Sequence, residues 1–274
     1  MLDGQMMLDE ILNAAPVFLL IAVRALAMIQ VAPLLNSEAI PQIARIALAG
    51  FAAYASFNTA LIQDWDIALF GLNFVFLVIG EALIGIIIGF YLAIIFAAFV
   101  TAGQFFSLQM GFGASETFDP LSQIENPLLG QYLNIVAMLI FVTIDGFREL
   151  FLGGFWRSIQ TINVFSIING REEIVLMMLA GLSRLFFDAI IIALPILGTL
   201  FLVSLTTGLI SKAAPQINIL SEGFPISILV AFTTIFAALP FMTEAFSRII
   251  RTSFRNLQDL YIQIGHRIVE GGSL

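Results

Sequence analysis

The sequence predicts an all-α integral membrane protein, and three observations carry that prediction. Of 274 residues, 60% are hydrophobic and only 11% are charged, whereas a soluble domain has about a quarter of its residues charged. Mean hydropathy is +1.03. The apolar residues are gathered into about six hydrophobic helical runs. A water-soluble core of this chain length could not hide so much apolar surface, so lipid or other protein must cover it.

The first run covers roughly 14–35, contains Arg24 and is closed by Pro33. The second, 43–62, follows "NSEAIPQ" and stops at the acidic turn "QDWD". The third, 67–102, is too long for one straight crossing and holds Glu81. A fourth spans 128–144. After it, Phe147, Phe151, Phe155, Ile159 and Ile162 recur in three- and four-residue steps, the pattern of an amphipathic helix lying at the membrane interface. The fifth run, 174–210, is again overlong, and Pro195 with Gly198 is expected to kink or break it. The sixth covers 224–242. No internal repeat and no linker is visible, so residues 1–274 read as one domain.

The tail, 245–274, changes character. Ile250, Phe254, Leu257, Tyr261, Ile264 and Ile268 form one narrow apolar seam beside four arginines. Such a helix suits either an anionic lipid surface or a docking contact with a protein partner. Arg148, Arg157, Arg171 and the tail arginines would share the cytoplasmic side, leaving Arg45 and Lys212 outside. The N-terminus "MLDGQMMLDEILNA" is acidic, so a cleavable signal peptide is not expected.

The formal charge is −8 and lysine plus arginine total 11, which gives no nucleic-acid footprint. Cysteine is absent, which removes disulfides, thiolate metal sites and a cysteine nucleophile. There is no phosphate loop, no HExxH and no serine–histidine constellation, so the reading is non-enzymatic, with no cofactor and no metal. Charges inside apolar spans cost roughly 2.5–3.5 kcal/mol each and mark packing or functional sites. Here they are Arg24, Glu81 and the pair Arg184 and Asp188, four apart and able to meet on one helical face. They could serve a proton or ion relay, or an internal pairing. Arginines carry protons poorly, which favours pairing. Gly85 and Gly89, in "GIIIG", predict close helix packing.

The stretch 103–127 is unusual for a loop. It carries no lysine or arginine, but contains Phe105, Phe106, Met110, Phe112 and Phe118 among glycines and three acids. Irregular backbone at membrane depth survives only inside protein or along a cavity. An apolar constriction can also block water by dewetting. A pore-closing plug and a re-entrant loop that only fills space both fit.

Two stretches resolve the choice. "LQMGFGASETFDP" (108–120) and "GLISKAAPQINILSEGFPISI" (208–228) resemble signature regions of the FliR family, the flagellar type III export-gate subunits, whose injectisome homologue is the T-type subunit. The second motif is the more specific: Ala214-Pro215-Gln216, then Gly223-Phe224-Pro225. The resemblance implies assembly with P-type and Q-type gate subunits, with B-type and A-type subunits as neighbours, in the bacterial inner membrane at the flagellar basal body. It implies a protein-conducting channel that passes unfolded flagellar proteins as cargo. The plug role is carried over to Met110, Gly111, Phe112, Gly113, Phe118, Asp119 and Pro120. The alternatives are a stand-alone secondary transporter of ions or small solutes working through Glu81, Arg184 and Asp188, or an injectisome gate.

Overall fold

A computed structural model describes residues 2–61, 71–111, 128–164, 170–214 and 219–271, with side chains described over 15–59, 71–111, 128–164, 170–214 and 223–264. The described residues are helices and turns without a strand, and the chain is the all-α membrane protein its composition predicts. The helices are α1 (Leu2–Val31), α2 (Gln42–Leu61), α3 (Leu72–Met110), α4 (Leu128–Thr143), α5 (Gly146–Arg148), the π-helix π1 (Glu149–Trp156), α6 (Arg157–Thr161), α7 (Arg171–Ala213) and α8 (Ile219–Gly271). Three are long and apolar enough to cross a membrane, over Leu72–Met110, Arg171–Ala213 and Gly223–Ile264. Ala15–Val31 and Leu128–Thr143 are shorter apolar helices.

The chain forms two compact units. The first comprises Met1–Ile94, Asp145–Gly181 and Thr252–Leu274; the second comprises Ile95–Ile144 and Leu182–Arg251. The passages at 94–95, 181–182 and 251–252 fall inside α3, α7 and α8, so no linker marks them.

In the first unit α1 ends one residue before Ala32, because Pro33 cannot extend it. The amides of Leu35 and Asn36 instead close a turn on the carbonyl of Ala32. Pro41 then starts α2, its carbonyl taking the amides of Ala44 and Arg45. Buried Leu20, Ile21, Met28 and Ile29 of α1, with Ala49, Ala52 and Ala53 of α2, form the core of this helix pair. Phe18 and Phe57 meet edge to face at 6.1 Å. Gly85 and Gly89 lie on the α1 backbone: a Cβ at Gly85 would collide with the Arg24 carbonyl, and one at Gly89 would stand 2.7 Å from the Met28 carbonyl.

In the second unit aromatic rings supply the centre. Phe96 packs on Phe141 at 5.6 Å, and Phe99 on Phe246 at 4.3 Å. Gly103 crosses α4 at Gly130, whose amide nitrogen would lie 2.6 Å from an added Cβ. Beyond this centre α7 and α8 expose large apolar side chains on several faces, Leu202, Leu209, Leu229 and Phe236 among them. Their hydroxyls turn back on their own helices: Thr206 bonds Leu202 O, Thr207 bonds Val203 O, and Thr233 bonds Leu229 O. With methyls outward and polar atoms satisfied internally, these surfaces suit lipid or an apolar partner rather than water.

Several boundaries differ from the sequence expectation, each for a physical reason. α3 runs on through 103–110, because nothing from Gly103 to Met110 breaks a helix that is packed at the Gly103–Gly130 crossing. α7 passes Pro195 and Gly198 unbroken. The sixth span and the tail are one continuous helix, α8, with Pro225 and Pro240 inside it. The predicted interfacial helix is present as one uninterrupted helical run, α5–π1–α6, but Phe155, Ile159 and Ile162 are buried in the protein rather than laid on a membrane surface. The widened π turn brings two adjacent glycines, Gly153 and Gly154, inward as well.

The tail seam is also corrected. Ile250, Phe254, Leu257, Tyr261 and Ile264 are all buried within the chain itself, so neither lipid nor a partner is needed to cover them. In the first unit Tyr261 donates to Gly154 O at 3.0 Å, and Gln258 bridges Arg157 and Glu149. Ile268 lies outside the described side chains.

Candidate functional site

Two constellations bring the sequence-predicted residues into place. The first is a buried charge cluster in the first unit. Arg24 and Glu81, 57 positions apart, are 1% and 0% exposed. The guanidinium grips the carboxylate with its flat edge, Nε to Oε2 at 2.5 Å and Nη2 to Oε1 at 2.9 Å. Nη1 also donates to Ser158 Oγ at 3.1 Å, and Nη2 to the Ile162 carbonyl at 3.1 Å. The Ser158 hydroxyl donates in turn to Phe155 O at 2.6 Å. The sequence places each charge in an apolar helix, where it needs a partner. The fold supplies one from another helix and fills the rest with Ser158 and a carbonyl. Gly85, one turn beyond Glu81, allows the close approach on which the fork depends.

Electrostatically the cluster is balanced: a bidentate carboxylate faces a guanidinium that makes four hydrogen bonds. It can lock α1, α3 and the segment after α6 together. It offers no open proton acceptor to a relay. Ser158 and Ile162 were not singled out by the sequence as ligands of Arg24. Their only signal is a small hydroxyl residue on the buried face of the 147–162 apolar pattern.

Arg184 and Asp188 do meet within α7, at 3.6 Å, but Arg184 is 46% exposed and the contact is confined to one helix. This pair belongs to the second unit, and the Arg24 cluster to the first. Among the described residues, no group of three or more histidine or acidic side chains could hold a metal.

The second constellation is a junction of the two motifs, in the second unit. Met110 closes α3 and is fully buried. Gly111 follows at φ 85°, a left-handed conformation that favours glycine, and its amide caps the helix on Leu108 O. A Cβ at Gly111 would strike the ring of Phe224. Gly223 and Pro225 flank that ring inside α8. Ala214 ends the turn after α7, its amide on Ile210 O at 2.8 Å. Phe112, Gly113, Phe118, Asp119 and Pro120 lie outside the described residues, as do Pro215 and Gln216.

The pattern that joins these stretches is found in known proteins. The family model described as "Bacterial export proteins, family 1" matches residues 15–253. The chain belongs to this family. Its relatives include the flagellar biosynthetic protein FliR of Bacillus subtilis, 26% identical over 260 residues that cover 94% of this chain and 99% of that protein. FliR of Escherichia coli K12 is 27% identical over 88% of this chain and 91% of its own length. FliR of Borreliella burgdorferi is 30% identical over 73% of this chain and 74% of its own. The matched span of the family model takes in both the charge cluster and the Gly111–Phe224 junction. It stops at 253, before the buried Tyr261.

Proposed function

We propose that this chain is a subunit of the flagellar protein export apparatus that forms part of a protein-conducting channel in the inner membrane. The apolar segment that begins at the last residue of α3, residues 110–120, helps hold the channel closed. P-type and Q-type subunits complete the conduit, with B-type and A-type subunits adjoining on the cytoplasmic side. Unfolded flagellar proteins are the cargo. Residues 1–274 act as one gate domain without enzymatic activity. The relatives' flagellar names favour flagellar over injectisome use.

The observation that carries the closure reading is the junction at Gly111. The helix stops there on a left-handed glycine, its last residue Met110 is anchored in the core, and Phe224 of the second motif sits on the turn. A segment that leaves from a fixed root can be aimed reproducibly. The transporter reading has less support, because Glu81 is already saturated by Arg24.

The test is ion leak through the assembled complex in cells. Met110→Ala with Phe112→Ala should raise leak several-fold at unchanged complex yield. Because Met110 is buried, Phe112→Ala alone is the second variant. Tight membranes in both would count against closure by this segment.

A further inference from the structure

A groove of about 610 Å³ runs between α2 and the α5–π1 segment, within the first unit. Leu48 and Phe51 of α2 line one wall, and Phe151 and Leu152 of π1 line the other. Phe51 and Leu152 form exposed lips. At one end the walls are pinned together, because Trp156 Nε1 donates to Thr59 Oγ1 at 3.1 Å. Arg148 lines the same groove eight residues before Trp156, roughly 12 Å back at a helical rise of 1.5 Å per residue. Its neighbour Glu149 is engaged toward α8 instead, where it accepts from Gln258 at 3.3 Å.

The slot is long and narrow. Leu48 and Thr59 stand eleven residues apart on α2, about 16 Å of helix. Spread over that length, 610 Å³ leaves a cross-section of about 40 Å². A helix 10 Å across needs about 80 Å², so one can lie over the slot but cannot enter it. A flexible acyl chain can run along it. Among the described lining residues the charge is carried by Arg148, at the end away from the Trp156–Thr59 pin, and the rest is mainly aliphatic or aromatic.

We propose that this groove binds an acyl chain of an anionic phospholipid, with the headgroup phosphate on Arg148. An arginine beside an apolar track can keep its stem on the track while its guanidinium reaches a phosphate with paired hydrogen bonds. Basic pockets between helices of membrane proteins hold anionic headgroups in this way. The chain end then lies against Trp156. The inference is independent of the closure reading.

The experiment reads Trp156 directly. The chain has two tryptophans, Trp65 and Trp156, so Trp65→Phe leaves one indole, at the pinned end. The full chain is placed in phosphatidylcholine nanodiscs doped with phosphatidylglycerol whose acyl chains carry bromine near their ends, a contact quencher of indole. Half-maximal quenching should need about fivefold less brominated phosphatidylglycerol than brominated phosphatidylcholine. Arg148→Gln should remove that preference, and Arg148→Lys should keep most of it. Ala55→Phe, which puts a ring into the slot, should abolish quenching by both lipids. Equal quenching by the two lipids, a preference that survives Arg148→Gln, or quenching that survives in an Ala55→Phe chain melting like the parent would each overturn the inference. So would a photo-cross-linking residue in place of Leu152 that joins another protein chain in cells rather than lipid, since that assigns the groove to a partner.

Discussion

The two charge pairs inside apolar helices have the same chemistry but sit in different kinds of site. Arg24 and Glu81 belong to the first unit, come from different helices and are sealed from solvent with four hydrogen bonds on the guanidinium. Arg184 and Asp188 belong to the second, sit one turn apart on α7 and are joined at 3.6 Å with the arginine half exposed. A pair made across helices can hold a tertiary arrangement in place. A pair made along one helix holds nothing beyond that helix, whatever its partners do later. The difference teaches that an intramembrane charge has to be judged by what it connects, because charge type and burial propensity are shared by both pairs.

The comparison is broken most directly at the first pair. Arg24→Ala or Glu81→Ala leaves an uncompensated charge in the core and should cost about 3–5 kcal/mol, read as loss of thermal stability of the full chain in detergent. The double change Arg24→Met with Glu81→Leu should recover most of the loss, since both charges leave together. If each single variant melts like the parent, the cluster is not a lock.

Glycine provides the next contrast. Gly85→Ala drives a methyl into the α1 backbone and should cost about 1–3 kcal/mol. Gly198 has nothing within 4 Å of an added Cβ, so Gly198→Ala should gain about 1 kcal/mol from helix propensity. The two changes are the same substitution in two apolar helices, and opposite signs in thermal unfolding are expected. Equal effects would mean that the close approach of α3 to α1 is not what fixes the first unit.

The smallest effect is expected at the second pair. Asp188→Ala should change the stability of the isolated chain by about 0.5 kcal/mol, the scale of an i,i+4 contact. If the pair faces a neighbouring subunit, complex yield falls while chain stability does not. An assembled complex that has lost export would instead point to a relay.

Much of this was legible in the residues. Composition and run length gave the membrane class. Pro33 and Pro41 bounded the α1–α2 turn, and "GIIIG" marked a contact face. The spacing of Arg184 and Asp188 announced their pairing. Motif spacing gave the family that the match over 15–253 established. Two of the misreadings share one cause. The seam from Ile250 to Ile264 and the stripe from Phe155 to Ile162 are correctly amphipathic, but periodicity says only that a face is apolar. It does not say whether lipid, a partner or the chain's own helices will cover it, and here the chain covers both.

The sequence by itself determined that this protein lives in an apolar medium, that it is helical, that Pro33 and Pro41 bound a turn, and that Gly85 and Gly89 permit close contact. These are local properties, set by side-chain solvation and backbone stereochemistry. Only the tertiary structure decided that Arg24 finds Glu81 across 57 positions, that Phe224 seats on Gly111, and that Trp156 ties the end of π1 to Thr59 of α2. The physical reason is that charge neutralisation and steric fit depend on distance in space, and in a chain of long helices residues remote in sequence are the ones that meet.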